Sequence, residues 1–297
     1  MSSFDNKKEL RFVITLGNGQ TFQGGSSNQI TLEGYRAIVN IDRGGGMMMG
    51  TLRAQIYGVT QGDMNSCVTF PFQPQKLAQG AVVALNTIQV FAIDGAQETL
   101  VFTGNVVNAY ANYMTMPDVF LEIQAQSTAA FALTPFAPSS YPGAIDGATI
   151  MAQLADNMGL TFENNGATCK LSVQYLPNTA LEQVKTLAQI SGFDLYIDPP
   201  ILAITPPNTP RAKPVPIISK DTGLKGYPTF DGFGVNFEML FNPAVIFGGN
   251  VQIVSDIPQA NGLWISRSIA YRLESEKPNG AWFAQIRGTK GNLAISS

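Results

Sequence analysis

Tyr35-Arg-Ala-Ile-Val-Asn-Ile41 and Thr51-Leu-Arg-Ala-Gln-Ile-Tyr57 decide the fold. In the first, Tyr35, Ala37, Val39 and Ile41 alternate with Arg36, Ile38 and Asn40. In the second, Leu52, Ala54 and Ile56 alternate with Arg53, Gln55 and Tyr57. A two-residue period sends one set to a core and the other to water, which marks a half-buried β-strand. Working outward, strand-like runs recur at Arg11–Leu16, Gln29–Glu33, Ala81–Ala84, Thr87–Ile93, Thr99–Phe102 and Val119–Ala125. The turn cluster Gly17-Asn18-Gly19 predicts a hairpin from Arg11–Leu16 into Gln20–Phe22, and Asp94-Gly95 predicts another turn. Many short strands with glycine-rich turns predict a first barrel-like β-domain over residues 1–133.

The pattern changes at Thr134. Thr134-Pro-Phe-Ala-Pro-Ser-Ser-Tyr-Pro-Gly143 has the composition of a linker. A helical period follows it, with Asp146 as N-cap, Ile150, Met151, Leu154, Ala155 and Met158 on one face, and Gly159 past the end. Lys170–Tyr175 reads as a short strand. A second helix, capped by Asn178, carries Leu181, Val184, Leu187 and Ala188 as far as Gly192. Phe193–Asp198 and Ile201–Thr205, turned by Pro199-Pro200, read as a hairpin. Residues 134–206 are therefore expected to be a linker and a small α/β insert. Residues 207–297 are expected to be a stiff proline-rich linker, Pro206–Pro216, and a second barrel-like β-domain. Its strands are Gly234–Phe241, Asn250–Val254, Gly262–Leu273 and Ala281–Arg287, with Pro278-Asn279-Gly280 as a turn. The fold class is mainly β with an α/β insert: two barrel-like β-domains flank a helix-strand-helix-hairpin domain.

Composition narrows the chemistry. The 297 residues are 45% hydrophobic and only 13% charged, against a usual charged share of roughly 25%. So sparse a charge favours surfaces buried against partners. The net charge of −3 gives no basic footprint for nucleic acid. There is no histidine, which removes His-dependent triads, general bases and metal ligands. Cys67 and Cys169 lack metal or redox spacing and are expected to be reduced thiols. The N-terminus does not read as a signal peptide, and no window reaches the roughly 20 apolar residues of a membrane span. No cofactor is implied.

Individual motifs each have a plain reading beside a sharper one. Gly44-Gly45-Gly46 lies between strands and lacks the Gly-Lys-Ser/Thr ending of a phosphate loop, so it reads as a hairpin loop. Met47-Met48-Met49 beside it cannot all face one core; they are either a subunit interface or a loop packed on its own barrel. Asp118, Glu122, Asp194, Asp198, Asp231 and Glu238 are the acids available to a glycan hydrolase, and no two stand in a recognisable catalytic context. No Gly-x-Ser-x-Gly is present. Trp264 and Trp282 lie in strands, where core packing is the plain reading and a ligand platform the sharper one.

Three stretches together resemble the hub proteins of contractile phage tail baseplates, the late-control-D-like family. They are Ile30–Val39 continuing to Leu52-Arg-Ala-Gln-Ile-Tyr-Gly-Val59, the unit 144–206, and Thr222-Gly-Leu-Lys-Gly-Tyr-Pro-Thr-Phe230 with Gly234–Pro243 and Gly248–Ile253. The resemblance implies a homotrimer whose paired barrels form a pseudo-sixfold ring. That ring would adapt a six-fold tail tube, or its initiator, to a three-fold central spike among other baseplate proteins. It implies no catalytic residues, and a protein made in the host cytoplasm and placed in the virion tail. A tail-associated glycan hydrolase and a carbohydrate-binding module are the alternatives.

Overall fold

The computed structural model describes residues 7–17, 19–22, 25–44, 49–68, 85–134 and 136–291. The first segment contains β1 (Lys8–Thr15), β2 (Gln29–Glu33), β3 (Ala37–Arg43), β4 (Thr51–Tyr57), α1 (Gln61–Cys67), β5 (Thr87–Asp94), β6 (Gln97–Asn112), β7 (Phe120–Gln126) and α2 (Ala129–Leu133). The insert contains β8 (Ser139–Asp146), α3 (Gly147–Asn157), β9 (Thr161–Asn164), β10 (Lys170–Leu176), α4 (Ala180–Ser191), β11 (Asp194–Asp198) and β12 (Ile201–Thr205). The last segment contains β13 (Ile217–Ile218), β14 (Leu224–Asp231), β15 (Gly234–Leu240), β16 (Asn250–Ile253), β17 (Gly262–Ser275) and β18 (Trp282–Thr289).

The protein is mainly β, as the alternating runs predict. The strands of the first and last segments form one 13-stranded sheet, ordered β14-β15-β18-β17-β3-β4-β7-β6-β5-β1-β2, with β16 on β17 and β13 on β16. The sequence predicts two barrel-like units; their strands are joined edge to edge, and the sheet does not close into a barrel. The seam is the antiparallel pair β17–β3, from Ile269↔Arg43 to Ser275↔Ala37.

Two long strands turn the corners. The β6 strand pairs with β5 through its first half and with β7 through its second. Gly104 stands at the crossover, where an added Cβ would lie 2.6 Å from the Gln126 carbonyl oxygen. The β17 strand serves β16 and then β3 around a register shift between Ser266 and Ser268, a bulge that bends the strand. One apolar core spans the seam: Val39, Ile41 and Ile56 pack in the same cluster as Phe237, Ile269, Leu273 and Ile286.

The insert has its own core of Ile150, Met151, Leu154, Val184, Leu187, Leu202 and Ile204. Both helices form where the 3.6-residue period predicts them. Asp146 caps α3 by accepting from the Ala148 N–H at 3.1 Å. The cap of α4 is Thr179, not Asn178, which instead adopts φ +76°.

Other local expectations change. The β1 strand pairs with β2 rather than with Gln20–Phe22, because Leu16 N–H already bonds the Asn28 carbonyl. The second half of the expected linker is strand β8, paired with β10. Helix α1 was not foreseen. It is two turns long, capped by Thr60, and buries only Met64 and Cys67. The expected run Ala81–Ala84 lies outside the described residues.

Candidate functional site

The insert docks on one end of the sheet through charge. Its carboxylates Glu163, Asp194 and Asp198 meet cations of the body. Glu163 takes a bidentate pair from Arg211, Nε and an Nη each at 2.9 Å, and Lys213 at 3.1 Å. The Arg211 guanidinium holds the Glu163 carboxyl down at about 2, with Asn165 and Lys213 adding to it against the cost of burial. Arg211 is itself buried and also donates to the Phe247 carbonyl at 3.0 Å. Asp194 accepts from Arg267 at 2.8 Å, and Asp198 from Arg43 at 2.8 Å. Tyr196 seals the joint edge-on to Phe247, with ring centroids 5.1 Å apart, and its hydroxyl accepts from Arg267 at 2.7 Å. Gly248, at φ +79°, faces that ring, and an added Cβ would lie 2.6 Å from it. Thus Pro206–Pro216, read from sequence as a spacer, is pinned at Arg211 and Lys213.

The remaining acids weighed from the sequence are also engaged. Glu122 pairs with Arg53 at 2.8 Å, Asp231 with Arg287 at 2.9 Å, Glu238 with Lys225 at 3.1 Å, and Asp118 with Arg36 at 4.0 Å. Paired carboxylates are set to hold geometry; a hydrolase needs two that face a shared bond. Trp264 and Trp282 are both buried in the core, the former donating its indole N–H to the Ala260 carbonyl at 2.7 Å. Both cysteines are free thiols. Burial pushes the Cys67 thiol up to about 12, with Asp63 adding to the effect.

The surface away from the core is of two kinds. The outer face of the sheet is polar, and it continues across the seam. One register line runs Glu238, Gln285, Ala270, Asp42, Thr51, Gln126, Asn105, all exposed or half-buried. The end of the strands opposite the insert carries two features. The β6–β7 connection, 113–119, projects Tyr113, Met114 and Met116, with Met114 97% exposed. It keeps its shape through Thr115 Oγ1, which donates to the Asp118 carbonyl at 2.7 Å, and Met114 N–H, which donates to Asn112 Oδ1 at 3.0 Å. Along the same end, a cavity of about 720 Å³ opens between the β17–β18 turn and the end of β15; Leu240, Phe241, Trp282 and Phe283 form one wall, and Lys7, Lys8, Glu274, Glu276 and Lys277 another. Of the methionines singled out from sequence, Met49 is half-buried beside the buried Gly50; Met47 and Met48 lie outside the described residues. Sequence reading missed the tip. Its signal was present in two methionines flanking Thr115 between two strand runs.

The baseplate hub gp41 family model matches residues 10–285. No curated protein matches the sequence. Among solved structures, the fold is similar to the 43 kDa tail protein of prophage MuSo2 from Shewanella oneidensis, with TM-score 0.59 and 14% identity over 94% of this chain and 96% of that one. It is similar to the tail protein from Neisseria meningitidis MC58, with TM-score 0.60 and 9% identity over 95% and 96%. A component of the E. coli type VI secretion system follows, with TM-score 0.57 and 7% identity over 87% and 74%. At such identities these likenesses concern the fold alone. Membership is carried by the family match along most of the length: this chain belongs to the baseplate hub gp41 family, structural proteins of the phage tail baseplate.

Proposed function

We propose that the chain acts as the structural hub of the baseplate, a homotrimer that adapts a six-fold tail tube to a three-fold spike. The observation that carries this is the seam. Each chain holds two β segments side by side in one sheet, joined through β17 and β3. Three chains arranged in a ring then present six such segments on one side and three inserts on the other. The outer face of the sheet is polar on both sides of the seam, and it lines the opening of the ring. A polar face without a basic excess lets a polyanion pass without being held.

The work of such a part is geometry, and the pairing of each candidate carboxylate with a cation fits that better than catalysis. Its partners are the tube or its initiator, the spike and neighbouring baseplate proteins, in a virion tail assembled in the host cytoplasm. The E. coli relative is described as similar to the T4 tail proteins gp27 and gp5, which supports the spike-side partner.

Light scattering on the purified chain is the test. The expected mass is three times the 31.9 kDa chain, alone or once spike protein is added. A strict monomer that binds neither tube nor spike protein rejects the reading.

A further inference from the structure

We propose that the free edge of β14 takes the β6 strand of a second copy of this chain, repeating between chains the β17–β3 seam that lies within one. The contact rests on the ring reading above and names the surfaces through which neighbours meet.

The two β segments repeat one four-strand unit. The order β6-β7-β4-β3 in the first recurs as β17-β18-β15-β14 in the last. The registers agree pair by pair. Ala125 lies between Val106 and Leu52 as Gly288 lies between Ser266 and Val235. Leu121 lies between Ala111 and Ile56 as Ala284 lies between Tyr271 and Met239. The bulge between Val106 and Asn108 of β6 matches that between Ser266 and Ser268 of β17. The bonds beside the two bulges match as well: the Val106 N–H donates to the Asn86 carbonyl at 2.8 Å, and the Ser266 N–H to the Gly249 carbonyl at 2.9 Å. Against β4, strand β3 sets Ala37, Ile41 and Asp42 where β14 sets Leu224, Phe230 and Asp231 against β15.

This equivalence identifies the missing neighbour. The β3 strand is completed by β17, which places Tyr271 opposite Ile41 and leaves Ile41 buried. The β14 strand ends the sheet, and Phe230, in the position of Ile41, is 47% exposed. The strand that stands to β14 as β17 stands to β3 is β6. Past Asn105, where its pairing with β5 stops, no strand among the described residues pairs with the edge of β6 that faces away from β7. Within one chain β6 and β14 do not pair, so each finds its mate on another copy. Carried over from the seam, the register sets Ala111 opposite Phe230 and Asn112 opposite Thr229. A small residue then faces a large one where Tyr271 faces Ile41. The one departure is the irregularity of β14 between Lys225 and Thr229, which includes Pro228. Bulges and prolines keep an edge strand from pairing indiscriminately, and here they confine the ladder to Thr229–Asp231.

The test uses full-length chains with Cys169 replaced by Ser, leaving only the buried Cys67 as a native thiol. Asn112→Cys and Thr229→Cys are made in separate, differently tagged chains, mixed under conditions in which the chain associates, and oxidised. A disulfide joining the two tags is expected, and none between Thr229→Cys and Thr31→Cys on β2, at the other end of the sheet. Phe230→Asp is expected to weaken association about tenfold or more while leaving the circular dichroism spectrum unchanged. Trimers that form without the Asn112–Thr229 link, or that link through Thr31 instead, overturn the contact and leave the ring standing. So does a Phe230→Asp chain that associates normally. A strict monomer that binds neither tube nor spike overturns the ring and the contact with it.

Discussion

Glu163 concentrates the chemistry of the insert joint. Its partner Arg211 is buried, so removing the carboxylate leaves a guanidinium without its counter-charge. Glu163→Gln should therefore cost about 2–3 kcal/mol, read as a lower denaturant midpoint. The pH profile supplies a second signature. The Glu163 carboxyl is held at about 2 in the fold, below its ordinary value near 4.3. Its stabilisation is complete above that ordinary value and is lost as pH falls towards 2. The unsubstituted chain should lose stability more steeply than Glu163→Gln between about pH 4.5 and 2; parallel curves would refute the assignment. Gly248→Ala should cost more than about 2 kcal/mol, since it forces a Cβ onto the Tyr196 ring at a positive φ. None of this was legible in the sequence. Nothing in the sequence marks Asp194 and Asp198 as joint residues, because their arginines lie 73 and 155 residues away, and no local pattern encodes such a pairing.

At the scale of elements, legibility followed how local the cause is. Helices α3 and α4 were visible because period, cap and stop signal all lie within one stretch, and the cap of α4 was missed by a single residue. The strands of the seam were visible as strands, but not as neighbours. The alternation of β3 says which side is buried and is silent on whether β17 or another edge completes its ladder. Strand β8 was hidden by its Pro and Ser content, which is tolerated because it sits at the edge of a two-stranded sheet. The seam itself is open to test. Asn40 points outward from β3, which is laddered on both sides by β4 and β17. Asn40→Ala should change stability by less than about 1 kcal/mol. Asn40→Pro removes a ladder donor in a central strand and should cost at least about 2 kcal/mol. Equal effects in thermal unfolding would show that the seam does not hold the two segments together.

For the whole molecule, the three segments converge on one side chain. Arg43 ends β3, pairs with Asp198 of the insert, donates to the Val101 carbonyl of β6, and lies 5.4 Å over the Tyr271 ring of β17. It is the point where first segment, insert and last segment touch at once, and it lies in the sequence just before the glycine–methionine run. If the insert were a loosely tethered module, Arg43 and Asp198 would contribute independently. A rigid body instead requires them to be coupled, because each fixes the other across the joint. A double-mutant cycle separates the two cases. Arg43→Met should cost about 2–3 kcal/mol, and Asp198→Asn less, since its side chain is more exposed. The coupling energy from urea unfolding of the single and double variants should be about 1 kcal/mol or more. Strict additivity would mean that the insert is positioned by Glu163, Asp194 and Tyr196 without help from the Arg43–Asp198 pair.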